Sequence, residues 1–99
     1  MAALEWHKAP ERMEFGDLDV AEKAQFYCYY LKEKDGRHWR LPEPDELAAK
    51  AHSGASEGLY WSSALSKKHG EAIVVDMADG RSHPKPISER HWVYCVYAK

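Results

Sequence analysis

Trp39-Arg40-Leu41-Pro42-Glu43-Pro44-Asp45-Glu46-Leu47 is the stretch around which the rest of the chain is organised. An apolar run holding one arginine leads straight into a proline-punctuated helix start. Pro42 forbids helix behind it and biases Leu41 toward extended backbone. Pro44 suits the first helical turn, where its missing N–H costs nothing. Asp45 and Glu46 follow in that turn, where carboxylates meet the positive end of the helix dipole. Arg40 and Glu46 flank the corner and can meet across a short chain reversal, so they are expected to clamp the strand end to the helix start.

Working back toward the N-terminus, Leu4 to His7 predicts a short strand with Leu4 and Trp6 on one face. Lys8 to Asp17 mixes Pro10, Gly16 and charged side chains and reads as a loop. Asp19 is a good N-cap, and Glu22 completes a capping-box pattern. Val20, Ala24, Tyr27, Cys28 and Leu31 then recur at helical spacing, which predicts one buried helix face. Lys32, Glu33 and Lys34 close this helix, and Gly36 is placed for a left-handed C-terminal cap.

Working forward, a second helix is expected from about Pro44 to His52, and Ala55 to Gly58 reads as a loop. Leu59 to Ser63 predicts a strand, with Ser66 to Gly70 as a polar tip. Glu71 to Met77 carries the β-branched run Ile73-Val74-Val75 after Ala72, too short for a helix. Asp79-Gly80 is a two-residue hairpin signal. Arg81 to Arg90 holds two prolines, so it reads as an edge strand or a loop. Trp92 to Tyr97 is bulky on both faces, which predicts a strand buried on both sides in mid-sheet. Two helices followed by short strands make an α+β class.

Composition narrows the function. Ninety-nine residues form one domain, 1–99, with 44% hydrophobic and 30% charged residues, as in an ordinary globular chain. A formal charge of −2 argues against a nucleic-acid surface. No window approaches the length of a membrane span, so no membrane partner is expected. The first residues lack the basic and apolar regions of a signal peptide, which predicts a cytoplasmic protein.

The order of these motifs resembles a known family. A helix holding Phe26-Tyr27-Cys28-Tyr29-Tyr30-Leu31 is followed by Trp39-Arg40-Leu41-Pro42 with Glu46-Leu47, then Tyr60-Trp61-Ser62-Ser63. Next come Ala72 to Asp76, Asp79-Gly80 and Val93-Tyr94-Cys95-Val96. From about Leu4 to Tyr97 the chain is similar to the bacterial and phage C-type-lectin-like domains typified by the C-terminal domain of a collagen-like adhesin. These are distant relatives of the formylglycine-generating and sulfatase-modifying domains. The resemblance implies a minimal fold of two helices on a small, mostly antiparallel twisted sheet. It gives Trp39, Arg40, Leu41, Pro42, Glu46 and Trp61 structural roles. It also implies that Cys28 and Cys95 face each other across the core, where lectin-like domains carry a disulfide. Two departures stand out. Glu43 replaces the family's usual capping threonine, and the connecting segments are short, with little room for an elaborated ligand loop.

Chemistry is sparse. His7, His38, His52, His69, His83 and His91 show no convergent spacing for a metal, and surface placement is expected. The chain contains no asparagine, so the calcium-dependent sugar site of lectins has no usual ligand set. Glu43-Pro44-Asp45 is explained by helix capping. Ser62 or Ser63 with His69 and Asp76 would make a triad on paper, but nothing supplies an oxyanion hole. No glycine-rich phosphate loop exists. No metal or cofactor is expected.

Binding remains. Arg81, His83, Lys85, Arg90, His91 and Trp92 lie in the region that lectin-like relatives display on the ligand face, and Lys67 and Lys68 add basic character nearby. These eight residues are the expected partner-binding set. The chain is therefore expected to be a non-catalytic module that docks on another, intracellular protein, as phage accessory proteins do. The alternative is a calcium-independent carbohydrate or glycosaminoglycan binder, and a formylglycine-generating-type enzyme is the least favoured. A homodimer through the exposed edge of the early strand is also open.

Overall fold

The computed structural model describes residues 4–15, 24–52, 57–68 and 70–98. The elements run β1 (Leu4–Lys8), α1 (Ala24–Asp35), α2 (Pro44–His52), β2 (Leu59–Leu65), β3 (Glu71–Asp76), β4 (Ser82–Pro86) and β5 (Tyr94–Ala98). This is the expected α+β order, in two small antiparallel sheets rather than one. β1 pairs with β5, and β2, β3 and β4 form a three-stranded sheet in that order.

Residues 39–47 behave as their chemistry dictates. Arg40 is extended and exchanges both backbone hydrogen bonds with Val96, at 2.9 and 2.8 Å. Pro42 is buried, and its carbonyl accepts the Ser63 N–H at 2.9 Å. Helix α2 begins at Pro44, and the Leu47 N–H closes its first turn on the Glu43 carbonyl. Leu47 is fully buried.

In α1, Ala24 and Cys28 are buried while Tyr27 and Leu31 pack on the core as partly covered neighbours, which is the expected stripe. Gly36 ends the helix with φ +76°, and its N–H donates to the Lys32 carbonyl at 2.8 Å. The expected start at Asp19, Val20 and Glu22 lies outside the described residues, as does the loop 53–56.

The core has two halves, and the strands feed both. Trp61, Val74, Val93 and Cys95 join Ala9, Phe15, Ala24, Cys28, Trp39 and Ala72 in one cluster. Their chain neighbours Tyr60, Val75 and Tyr94 join Leu47 and Met77 in the other. Side chains alternate across a strand, so strands with a cluster on each face must be bulky at every position. That is why Ile73-Val74-Val75 and Val93 to Val96 read as continuous apolar runs. β5 does lie between neighbours, with β1 on one side and the Arg40 bridge on the other. Trp92 links the sheets. Its N–H donates to the Leu59 carbonyl and its carbonyl accepts the Trp61 N–H, both at 3.0 Å.

Three expectations need correcting. β2 runs on to Leu65 through an irregular register between Trp61 and Leu65, where the Ser62 hydroxyl donates to the Ile73 carbonyl at 2.8 Å. The β3–β4 hairpin has a four-residue loop, because the Asp76 N–H bonds the Arg81 carbonyl and the Gly80 N–H turns back to Asp76 at 2.7 Å. The segment after Lys8 is not independent loop. Ala9, Met13 and Phe15 bond in turn to Val93, His91 and Ile87.

β4 is an edge strand, as its prolines require. Arg81 and Ile87 make the bonds toward β3 and its turn, so Pro84 and Pro86, at the alternate positions, direct their missing donors outward. Cys28 and Cys95 are joined in a disulfide that spans 67 positions and ties α1 to β5. No helix among the described residues is long and apolar enough to cross a membrane.

Candidate binding groove

The clamp that the sequence predicts also builds the wall of an open groove. The two terminal guanidinium nitrogens of Arg40 donate to the two carboxylate oxygens of Glu46 at 2.8 Å. Glu46 Oε1 also accepts the Glu43 N–H at 2.7 Å. Glu46 is thus the back half of a capping box, which explains how Glu43 can replace a capping threonine. The Arg40 hydrogen bonds, and then the Glu43 N–H, hold the Glu46 carboxyl below its ordinary range. The hydrogen bonds to Glu46 raise Arg40 in turn.

Trp39 forms the adjacent wall. Its indole N–H donates to the Asp35 carboxylate at 2.9 and 3.1 Å, and its ring packs edge-on to Tyr97 at 4.6 Å. The indole bond, followed by the Arg37 N–H, lowers the Asp35 carboxyl. Trp39, Arg40, Leu41, Tyr29, Lys32, Ser63 and Leu65 line a cavity of about 380 Å³, open to solvent. Phe15 and the disulfide residue Cys28 also line it.

Tyr29, Tyr30 and Leu65 are the large hydrophobics that the described surface exposes, at 47%, 47% and 70%. Two of them line this groove. Sequence reasoning missed it because Tyr29 and Tyr30 sit beside the buried stripe of α1, and Leu65 lies past the expected end of its strand. Aromatic residues just off a helix's buried stripe were the available signal.

The structure divides the eight residues expected to bind a partner. Lys85 stands opposite Ala72, at the end of β3 where Lys67 and Lys68 form the β2–β3 turn. Arg81 lies at the other end of β3, beside Asp76. His83 is half-buried opposite Val74, and Arg90 is exposed. His91 is pinned, with Nε2 2.9 Å from Glu89 and its ring edge-on to Trp61 at 5.0 Å. Trp92 is half-buried under the Lys8 ammonium, 4.4 Å from its ring, with Arg12 at 5.9 Å. Of the paper triad, Ser62 is buried and bonded to Ile73, Asp76 accepts the Ala78 N–H, and His69 lies outside the described residues. No cluster of three metal-ligating side chains exists among the described residues.

No family model matches the sequence, and no curated protein matches it. Among solved structures the fold is similar to that of botrocetin, a snake-venom C-type-lectin-like protein. The TM-score is 0.63 at 12% identity, over 97% of this chain and 91% of botrocetin's. The fold is C-type-lectin-like.

Proposed function

We propose that this domain is a non-catalytic binding module that docks a segment of another protein in the groove between Tyr29 and Leu65. The observation that carries the reading is the exposure of those two side chains above a cavity rimmed by Lys32 and Arg40. Exposed apolar surface that lines a concavity marks a contact surface. Tyrosine and arginine are the residue types that anchor such contacts. With Arg40 already paired to Glu46, the Lys32 ammonium suits a segment with an apolar side chain next to a carboxylate. The adhesin-like resemblance supports an accessory role of the kind phage domains play, by analogy of fold alone.

Lys67, Lys68 and Lys85 at one end of the three-stranded sheet favour a second reading, a calcium-independent binder of sulfated glycans. The expected cytoplasmic setting carries a condition, because cytosolic thiols normally stay reduced. Alkylation of Cys28 and Cys95 in protein taken directly from cells decides it by mass.

Three proteins are compared in capture from lysate, each followed by calorimetry with the purified partner. They are the native chain, Leu65→Asp, and the triple variant Arg81→Ala, Lys85→Ala, Arg90→Ala. Loss in Leu65→Asp with retention in the triple variant supports the groove. The converse refutes it and returns the function to the 81–92 segment. Salt-sensitive, chelator-independent retention on a sulfated-glycan array, with no protein captured, supports the glycan reading.

A further inference from the structure

The two outer edges of the sheets are built differently. On β4 the outward positions carry Pro84 and Pro86, which seal the edge against another strand. β1 has no such block. The Ala9 N–H bonds Val93, which continues a ladder in which Glu5 and His7 face Tyr97 and Cys95. The backbone groups of Leu4, Trp6 and Lys8 therefore point away from β5. Among the described residues they make no other backbone hydrogen bond.

We propose that β1 pairs with β1 of a second copy of this chain, antiparallel about a two-fold axis at Trp6, to make a four-stranded sheet. The register follows from charge. Outward groups lie on even positions, so an isologous pairing places Glu5 opposite Glu5, Trp6 opposite Trp6, or His7 opposite His7. The first sets like charges face to face, which opposes pairing. The third leaves Leu4 without a partner. The second pairs all five residues and places Glu5 opposite His7 of the second copy, twice.

The same register brings Lys8 of the second copy opposite Leu4, on the face that packs toward α2. There Leu4 and Trp6 line a shallow cavity of about 450 Å³ with Asp45, Glu46, Ala49 and Lys50. Glu46 is held by Arg40, so Asp45 is the carboxylate that meets the incoming ammonium. Lys50 lies over the Trp6 and Tyr94 rings at 4.7 and 5.3 Å, which draws its charge onto the aromatic wall of this cavity. To reach Asp45, Lys8 gives up its contact with its own Trp92. The fit is self-complementary, as a two-fold interface demands.

Sedimentation of the full chain from micromolar to millimolar concentration, with amide exchange at both extremes, tests this. The expected result is a mass that doubles with concentration. Exchange at Leu4, Trp6 and Lys8 should slow by about tenfold or more on association, while Glu5 and His7 are protected at both extremes. Lys8→Pro deletes one outward donor and leaves the β5 ladder intact, and Asp45→Lys reverses the complementary charge. Both variants should remain monomeric with native circular dichroism, and Leu65→Asp should dimerise normally, which separates this interface from the groove. A monomer at millimolar concentration overturns the proposal. So does a dimer without the even-numbered protection, or one that both edge variants leave intact.

Discussion

Replacing Glu46 by alanine removes two different supports at one corner. One is the bidentate pair with Arg40, whose side chains are 47% and 20% exposed. A pair that open to solvent contributes about 0.5–1 kcal/mol. The other is the hydrogen bond that Glu46 accepts from the Glu43 N–H, whose loss matches removal of a cap, about 1 kcal/mol. The sum is about 1–2 kcal/mol, or a fall in Tm of about 5–15 °C for a domain of this size. Glu46→Gln keeps an acceptor for Glu43 but loses the charge and the second acceptor for Arg40, so its Tm should fall by less than that of Glu46→Ala. Thermal unfolding by circular dichroism at neutral pH reads both. A pH series adds a sign. The folded chain holds Glu46 below its ordinary value, so between the two values the unfolded chain binds the extra proton. This contribution is complete above about pH 4.3, the unfolded value, and is lost as pH falls through the lower, folded one. Equal losses in Glu46→Ala and Glu46→Gln would refute the capping half of the argument. No loss in Glu46→Ala would refute both halves.

Two further outcomes follow from the core. Cys28→Ala with Cys95→Ala opens a closed loop of 67 positions, and urea unfolding should show a loss of about 4 kcal/mol; a loss under about 1 kcal/mol would mean that packing alone holds α1 to β5. Tyr60 is fully buried, stacked on Tyr94 at 4.6 Å, and its hydroxyl has no hydrogen-bond partner among the described residues. Tyr60→Phe should therefore be neutral or stabilise by up to about 1 kcal/mol in the same assay, and a clear loss would reveal a hydrogen bond made by that hydroxyl.

The fold was legible where chemistry is local. Pro42, Pro44 and Glu46 specify a corner within a few residues, and α2 begins and ends where they and His52 place it. Gly36 marks a helix end for the same reason. The Asp79-Gly80 turn came out longer because Asp76 pairs with Arg81 across it, a choice made by the register of β3 on β4. The way the two sheets are joined was not legible, since it depends on Trp92 bridging to Tyr60 over a long stretch of chain. The groove was hidden for a similar reason. Tyr29 and Leu65 are remote in sequence, and only the packed fold shows that they remain uncovered together. The cations at 67–90 were visible as a set because they are close in sequence, and the strands between them then carried Arg81 away from the lysines.

The pairing of Leu4 with Ala98, and the disulfide inside it, also set how the domain carries load. Tension applied through the two ends would peel β1 from β5 one rung at a time, since antiparallel ladders pulled from the same end open as a zipper rather than in shear. Unravelling would stop at Cys28 and Cys95. Residues 1–27 and 96–99 lie outside that bond and could pay out about 100 Å when fully extended, while Trp39, Arg40, α2, β2, β3 and β4 stay within the covalent loop. Such a domain yields early under force and then holds, like a short tether with a knot in it.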